Sequence, residues 1–237
     1  MSEEKTPGAA TARPGRRTPL IIAAVAIVAA LGITAAVGLG DDSKPDNGSS
    51  AVAEVSGGSD PEKAATVLDR PFTKPDLVLT DTKGQKYDLR ERTKGKPTLI
   101  YFGYTHCPDV CPLTMSNIAI AKKQLPKADQ DKLQVVFVTT DPERDTAAEL
   151  GKWLPAAGDP SFTGLTGDFS AIQAGARSMG IGIDPPKVEN GNVVSMHGAQ
   201  VIAFSPTTDQ GYVLYGEDTT VDQYAQDLPK LIKGENP

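Results

Sequence analysis

Apolar residues in this chain fall into runs of distinct kinds, and each kind predicts a different element. Leu20–Gly40 is apolar apart from Thr34 and holds no charged residue. As a helix it would span about 30 Å, the hydrocarbon thickness of a bilayer. Leu77–Thr80 and Tyr87–Leu89 are short β-prone runs on either side of the turn-forming Asp81–Gly84, so a hairpin is expected. Thr98–Phe102 and, apart from Gln134, Leu133–Thr139 are apolar or β-branched, the pattern of strands buried on both faces. Between them Pro112–Leu125 reads as a helix with proline in its first turn.

The second half continues the alternation. Asp145 or Thr146 is placed to cap a helix over Ala147–Leu154, and Phe162–Leu165 reads as a short strand. Asp168 or Ser170 caps a helix reaching Met179. Val193–Phe204 reads as a strand entered through the turn dipeptide Asn190–Gly191, with Gly211–Tyr215 pairing onto its end. Thr219 or Thr220 caps a last amphipathic helix that runs to Lys233. Strands alternating with helices predict an α/β fold, a central sheet flanked by helices on both faces. That order is consistent with a thioredoxin-like fold, although the pattern alone does not select it. Phe102, Phe137, Trp153 and Phe204 are the expected aromatic core.

Charge gives the apolar N-terminal run a direction. Lys5, Arg13, Arg16 and Arg17 precede it and Asp41–Asp42 follow it, so the positive-inside rule leaves the N-terminus in the cytoplasm and exports the rest. The run is longer than the hydrophobic stretch of a cleaved signal peptide, and the Ala51–Val52–Ala53 site lies well beyond it. No cysteine lies near the segment, which excludes a lipoprotein signal there. The expected organisation is a cytoplasmic tail at 1–19, a transmembrane helix at 20–40, a Gly/Ser/Asp linker at 41–60 and an extracytoplasmic domain at 61–237. The chain's net charge is −6, and the basic tail makes the exported part more acidic still. Such a domain repels phosphates, so no nucleic-acid partner is expected.

The chemistry concentrates in Phe102–Pro112, which reads FGYTHCPDVCP and sits where a central strand gives way to a helix. Ligands of open α/β sheets bind at that edge. The chain holds two cysteines and two histidines. Cys107 and Cys111 each precede a proline, which pushes them toward extended backbone, with Cys111 near the helix cap. The positive end of the helix there would lower a thiol's pKa. The C-x3-C pair permits a disulfide, a redox-active dithiol or two soft metal ligands. As ligands they need a third donor. His106 adjoins Cys107 and points away from it, which leaves His197, in or entering a later strand. Two thiolates and one imidazole suit Cu(I), and an added water or carboxylate would suit Cu(II). A structural zinc site would want a fourth donor. Met115 and Met196 offer thioethers, more commonly used for packing. Asp109 is placed to cap the loop or hold a water. Asp141–Asp145 reads as a turn and helix cap open to a partner.

Thr105–Pro112, preceded by Tyr101–Tyr104, resembles the copper-loop signature of the Sco/SenC family, and Thr139–Thr146 resembles that family's segment after the next strand. His197 stands at the place of its distal histidine. The resemblance covers about Pro71 to Lys233. It implies a thioredoxin-like copper chaperone, single-pass in the cell membrane, with Cys107, Cys111 and His197 as copper ligands. It implies cytochrome c oxidase subunit II as the partner that receives metal into its dinuclear copper site, and a thiol reductant or another copper carrier upstream. The alternative is a thiol–disulfide oxidoreductase using Cys107 and Cys111 as catalytic cysteines, for which His197 is dispensable. A peroxidase-like enzyme ranks last, because no arginine lies in the loop.

Overall fold

The two largely apolar runs dictate the centre of the molecule. The computed structural model describes residues 65–189 and 192–237. The expected tail, anchor and linker lie outside the described residues, as do the first residues of the expected domain. Among the described residues no helix is long and apolar enough to cross a membrane.

Strand β4 (Thr98–Gly103) and strand β5 (Gln134–Thr139) pair in parallel from Thr98↔Gln134 to Gly103↔Thr139. Every residue of β4 is buried. Alternation along the strands divides their side chains between two cores. Leu99, Tyr101, Val135 and Phe137 face one core, and Ile100, Phe102, Val136 and Val138 the other. β6 (Thr163–Thr166) lies parallel beside β5. On the far side of β4, β9 (Val201–Phe204), β10 (Gln210–Tyr215) and β1 (Ala65–Thr73) add in antiparallel succession. The hairpin of β2 (Val78–Asp81) and β3 (Lys86–Asp88) completes the other edge through β6. The order β1-β10-β9-β4-β5-β6-β2-β3 makes one mixed sheet.

Helices α2 (Val110–Gln124), α4 (Ala147–Ala157) and α6 (Val221–Lys233) cover the first core. Helix α5 (Phe169–Arg177) and Leu89 of α1 (Leu89–Thr93) close the second. Helix α3 (Lys127–Lys132) buries no residue. Strands β7 (Lys187–Glu189) and β8 (Asn192–Val194) form a separate antiparallel ladder on either side of residues 190–191, which lie outside the described residues. Of the candidate caps, Thr146, Asp168 and Thr220 accept the first-turn N–H groups, and Thr220 forms a reciprocal capping box with Gln223.

One expectation needs correction, and three elements carry no sequence signal. The strand expected over Val193–Phe204 is broken, because residues 195–200 are irregular between β8 of the separate ladder and β9 of the main sheet. The Gly198 N–H donates instead to the Phe102 carbonyl at 3.1 Å, which draws this segment over the end of β4. β1 was not expected at all: it holds Asp69, Arg70 and Pro71, and its register breaks between Val67 and Phe72, features that an edge strand tolerates. The short helices α1 and α3 were also unforeseen, as each is too short to display a helical period.

This layering predicts an ordering of stabilities. Phe137→Ala, which empties the first core, should cost about 3–5 kcal/mol. Thr220→Ala, which removes one cap, should cost about 1 kcal/mol. Urea unfolding measures both, and equal losses would contradict the assignment of Phe137 to a tightly packed core.

Candidate metal centre

The site begins where β4 stops. A Cβ on Gly103 would lie 2.7 Å from Tyr101 Cε1, 2.9 Å from Cys111 Sγ and 3.0 Å from Phe137 Cε2. Only glycine lets the cysteine sulfur approach the strand end this closely. The chain then turns, with the Cys107 N–H donating to the Tyr104 carbonyl at 3.2 Å, and enters α2. Both cysteines are buried free thiols. Cys111 is fully enclosed, and Cys107 retains 7% of its surface.

Two local expectations fail here for physical reasons. Cys111 is helical although a proline follows it, because α2 starts at Val110. Pro112 therefore falls in the first turn, where N–H groups have no intrahelical acceptor and the missing donor costs nothing. Asp109 occupies the N-cap position, yet its side chain makes no capping bond. The Cys107 sulfur does so instead, accepting the Cys111 N–H at 3.4 Å.

The thiol chemistry also departs from expectation. Burial pushes the Cys111 thiol up to about 12, while the Tyr101 hydroxyl, which donates to its sulfur at 3.4 Å, pulls the other way. Desolvation of the charged form outweighs both that bond and the helix end.

His197 enters from the irregular segment between β8 and β9. Its ring is half-buried and lies 5.8 Å from the Tyr104 ring, centre to centre, at 40°. Its Nδ1 sits 3.4 Å from the Gly198 carbonyl. A Cβ on Gly198 would approach Ile181 Cγ2 to 2.9 Å, so glycine is what lets this segment lie against the core. The sulfurs of Cys107 and Cys111 and one ring nitrogen of His197 all lie within 4.8 Å of one another. Two soft sulfurs and an imidazole match the preferences of Cu(I). Among the described residues this cluster offers three donors, one short of a closed structural zinc site.

The other candidates have different places. His106 is exposed, and its Nδ1 lies 3.0 Å from Thr105 Oγ1 and 3.6 Å from Asp145 Oδ1. Met115 is fully buried and packs in the first core.

The groups that sequence reasoning missed are those that hold the donors in place. Asp141 and Asp145 were expected as a turn open to a partner, but both carboxylates are buried. Asp145 accepts the Thr105 N–H at 2.8 Å, the Thr105 hydroxyl at 2.5 Å and the Thr139 hydroxyl at 2.6 Å. Asp141 accepts the buried Ser195 hydroxyl at 3.0 Å and pairs with Arg144. Thr105 precedes Cys107 by two residues, and Ser195 precedes His197 by two. One short turn after β5 thus grips both limbs of the site. The Asp-x3-Asp spacing was the available signal, but it does not reveal which partners the carboxylates find.

Comparison with known proteins gives this geometry a context. The SCO1/SenC family model matches residues 65–233. A protein of Stutzerimonas stutzeri named as a candidate copper-binding protein is 33% identical over 142 residues, covering 59% of this chain and 68% of that one. The mitochondrial SCO1 homolog 1 of Arabidopsis thaliana is 31% identical over 174 residues, 73% of this chain but 49% of its own length. The chain therefore spans only about half of that relative. Among solved structures, copper-bound ScoI of Bradyrhizobium japonicum is 32% identical with a TM-score of 0.58, covering 69% of this chain and 99% of that one. The apo Sco1 protein of Thermus thermophilus reaches a TM-score of 0.61 at 30% identity, covering 70% and 95%. The fold is thus thioredoxin-like, a mixed central sheet flanked by helices. The chain belongs to the SCO1/SenC family.

Proposed function

We propose that this chain is an extracytoplasmic copper chaperone: it carries Cu(I) on Cys107, Cys111 and His197 and delivers it to the dinuclear copper site of cytochrome c oxidase subunit II. The observation that carries this reading is the convergence of three donor atoms within 4.8 Å from two distant parts of the chain. The copper-bound state of the Bradyrhizobium japonicum relative supports the choice of metal. The apolar Leu20–Gly40 segment would tether the domain to the membrane, with 41–60 as a linker and 61–237 as the copper-binding domain. A thiol reductant or another copper carrier would act upstream.

In this reading copper is cargo. The two sulfurs supply soft donors, and the half-buried His197 supplies the donor nearest to solvent. The Cys111 thiol gives up its proton when metal binds. Oxidation of the pair to a disulfide would remove two of the three donors, so redox state would gate the cargo. Thiol–disulfide exchange remains the competing reading, but full burial of Cys111 makes it a poor attacking group.

Anaerobic titration of the reduced chain with Cu(I) tests the assignment. One copper per chain is expected, with affinity falling at least about a hundredfold in Cys107→Ser, Cys111→Ser and His197→Ala. A His197→Ala chain that reduces partner disulfides at the original rate, and an original chain with no copper affinity, would leave the oxidoreductase reading standing.

The proton on Cys111 sets a pH dependence. Metal and proton compete for the sulfur, and the thiol's pKa lies near 12. Apparent Cu(I) affinity should therefore rise with pH across the neutral range, by about tenfold per unit for each proton displaced. An affinity flat between neutral and mildly alkaline pH would contradict a protonated Cys111 in the apo protein.

The grip of Asp141 on Ser195 sets a third expectation. Ser195→Ala should weaken copper binding by about tenfold while both thiols remain titratable. Unchanged affinity would mean that the His197 segment holds its place without that bond.

A further inference from the structure

The thiols of the proposed copper site are buried, so an incoming ion has to reach them past something. His197, which meets them, lines a cleft of about 310 Å³ whose walls also include Asp184, Lys187, Val194 and Met196. His197 belongs both to this cleft and to the donor cluster around the two sulfurs. Met196 is its sequence neighbour and shares the same wall.

Met196 stands apart from the other described methionines. Met115 and Met179 are 0% and 1% exposed and serve the two cores, whereas Met196 is 49% exposed. Burying a methionine side chain is favourable, and Met196 largely forgoes that gain. The packing role that accounts for the other two methionines therefore does not account for this one. A thioether is a soft, neutral donor suited to Cu(I). Beside it, the exposed Asp184 carboxylate places negative charge in the same wall, partly offset by Lys187 at 3.8 Å.

We infer that Met196 and His197 form a second, weaker Cu(I) station in this cleft, through which the ion is loaded onto the cysteine pair. The inference rests on the proposed copper-carrying role and adds a route to it. An arriving Cu(I) meets the exposed thioether and imidazole before the enclosed sulfurs. His197 keeps hold while the thioether lets go. Each thiol that then binds releases its proton to solvent, and the ion stays Cu(I) throughout. Leaving would follow the same exchange in reverse, with an acceptor's ligand replacing a cysteine sulfur from the cleft side.

The test uses the full chain in mild detergent, carrying Cys107→Ser and Cys111→Ser and labelled with ¹³C at its methionine methyl groups. Ag(I), a redox-inert counterpart of Cu(I), is the probe. The Met196 methyl resonance, identified by its loss in Met196→Leu, should shift saturably with Ag(I), while those of Met115 and Met179 stay in place. Adding His197→Ala should weaken the response at least fivefold. A Met196 resonance that ignores Ag(I), or that responds equally without His197, overturns the station. In the chain with both cysteines intact, Met196→Leu should slow Cu(I) uptake at least threefold in stopped flow, and an unslowed uptake overturns the route. Failure of the unaltered chain to take up any copper would count against the chaperone role instead, since that measurement leaves Met196 untouched and the Ag(I) result is read without the cysteines.

Discussion

Two buried carboxylates hold this site together. Asp145 binds the backbone and side chain of Thr105, two residues before Cys107, and Asp141 binds the hydroxyl of Ser195, two residues before His197. Both project from the one turn after β5, itself paired along its whole length with β4. Neither limb of the site belongs to a regular element where its donor sits in front of the sheet, Cys111 excepted. Beside these bonds, the Gly198–Phe102 backbone bond and the Tyr104–His197 ring contact tie the histidine segment to the end of β4 and the cysteine loop. A buried, unsatisfied carboxylate is costly. Each carboxylate therefore enforces the position of the segment that satisfies it.

Burial is the second constraint, and it opposes what local electrostatics alone would favour. The first turn of α2 is a place where a thiolate should be stabilised. Close packing against Tyr101, Phe137 and Gly103 removes water from Cys111 and keeps its thiol protonated instead. A metal that brings its own positive charge compensates for that desolvation where a bare thiolate would not. The geometry therefore suits a captured cation better than a freely reactive nucleophile. The Cys107 sulfur is occupied too, since it caps the helix in the place that Asp109 leaves unused.

Much of this architecture is legible along the chain. The apolar runs at Thr98–Phe102 and Leu133–Thr139 are the central parallel pair, and the caps Thr146, Asp168 and Thr220 start their helices within a residue of where their spacing places them. The cysteine spacing and its prolines mark the site and the elements it joins. Edge strand β1 and helices α1 and α3 are not legible, because short or solvent-facing elements carry no hydrophobic period. The single strand expected around His197 also fails, since apolar residues at Val193–Val194 and Val201–Phe204 look continuous until the sheet's hydrogen bonding is known.

The amino-acid sequence by itself determined the donor types, their spacing in the first limb and the alternation that builds a two-faced sheet, because those depend on neighbours along the chain. Only the tertiary structure decided how close His197 comes to the sulfurs, that Asp141 and Asp145 turn inward, that burial raises the Cys111 thiol's pKa, and that Met196 alone of the described methionines faces water. Each of these depends on residues brought together from far apart, and on how much water remains once they meet.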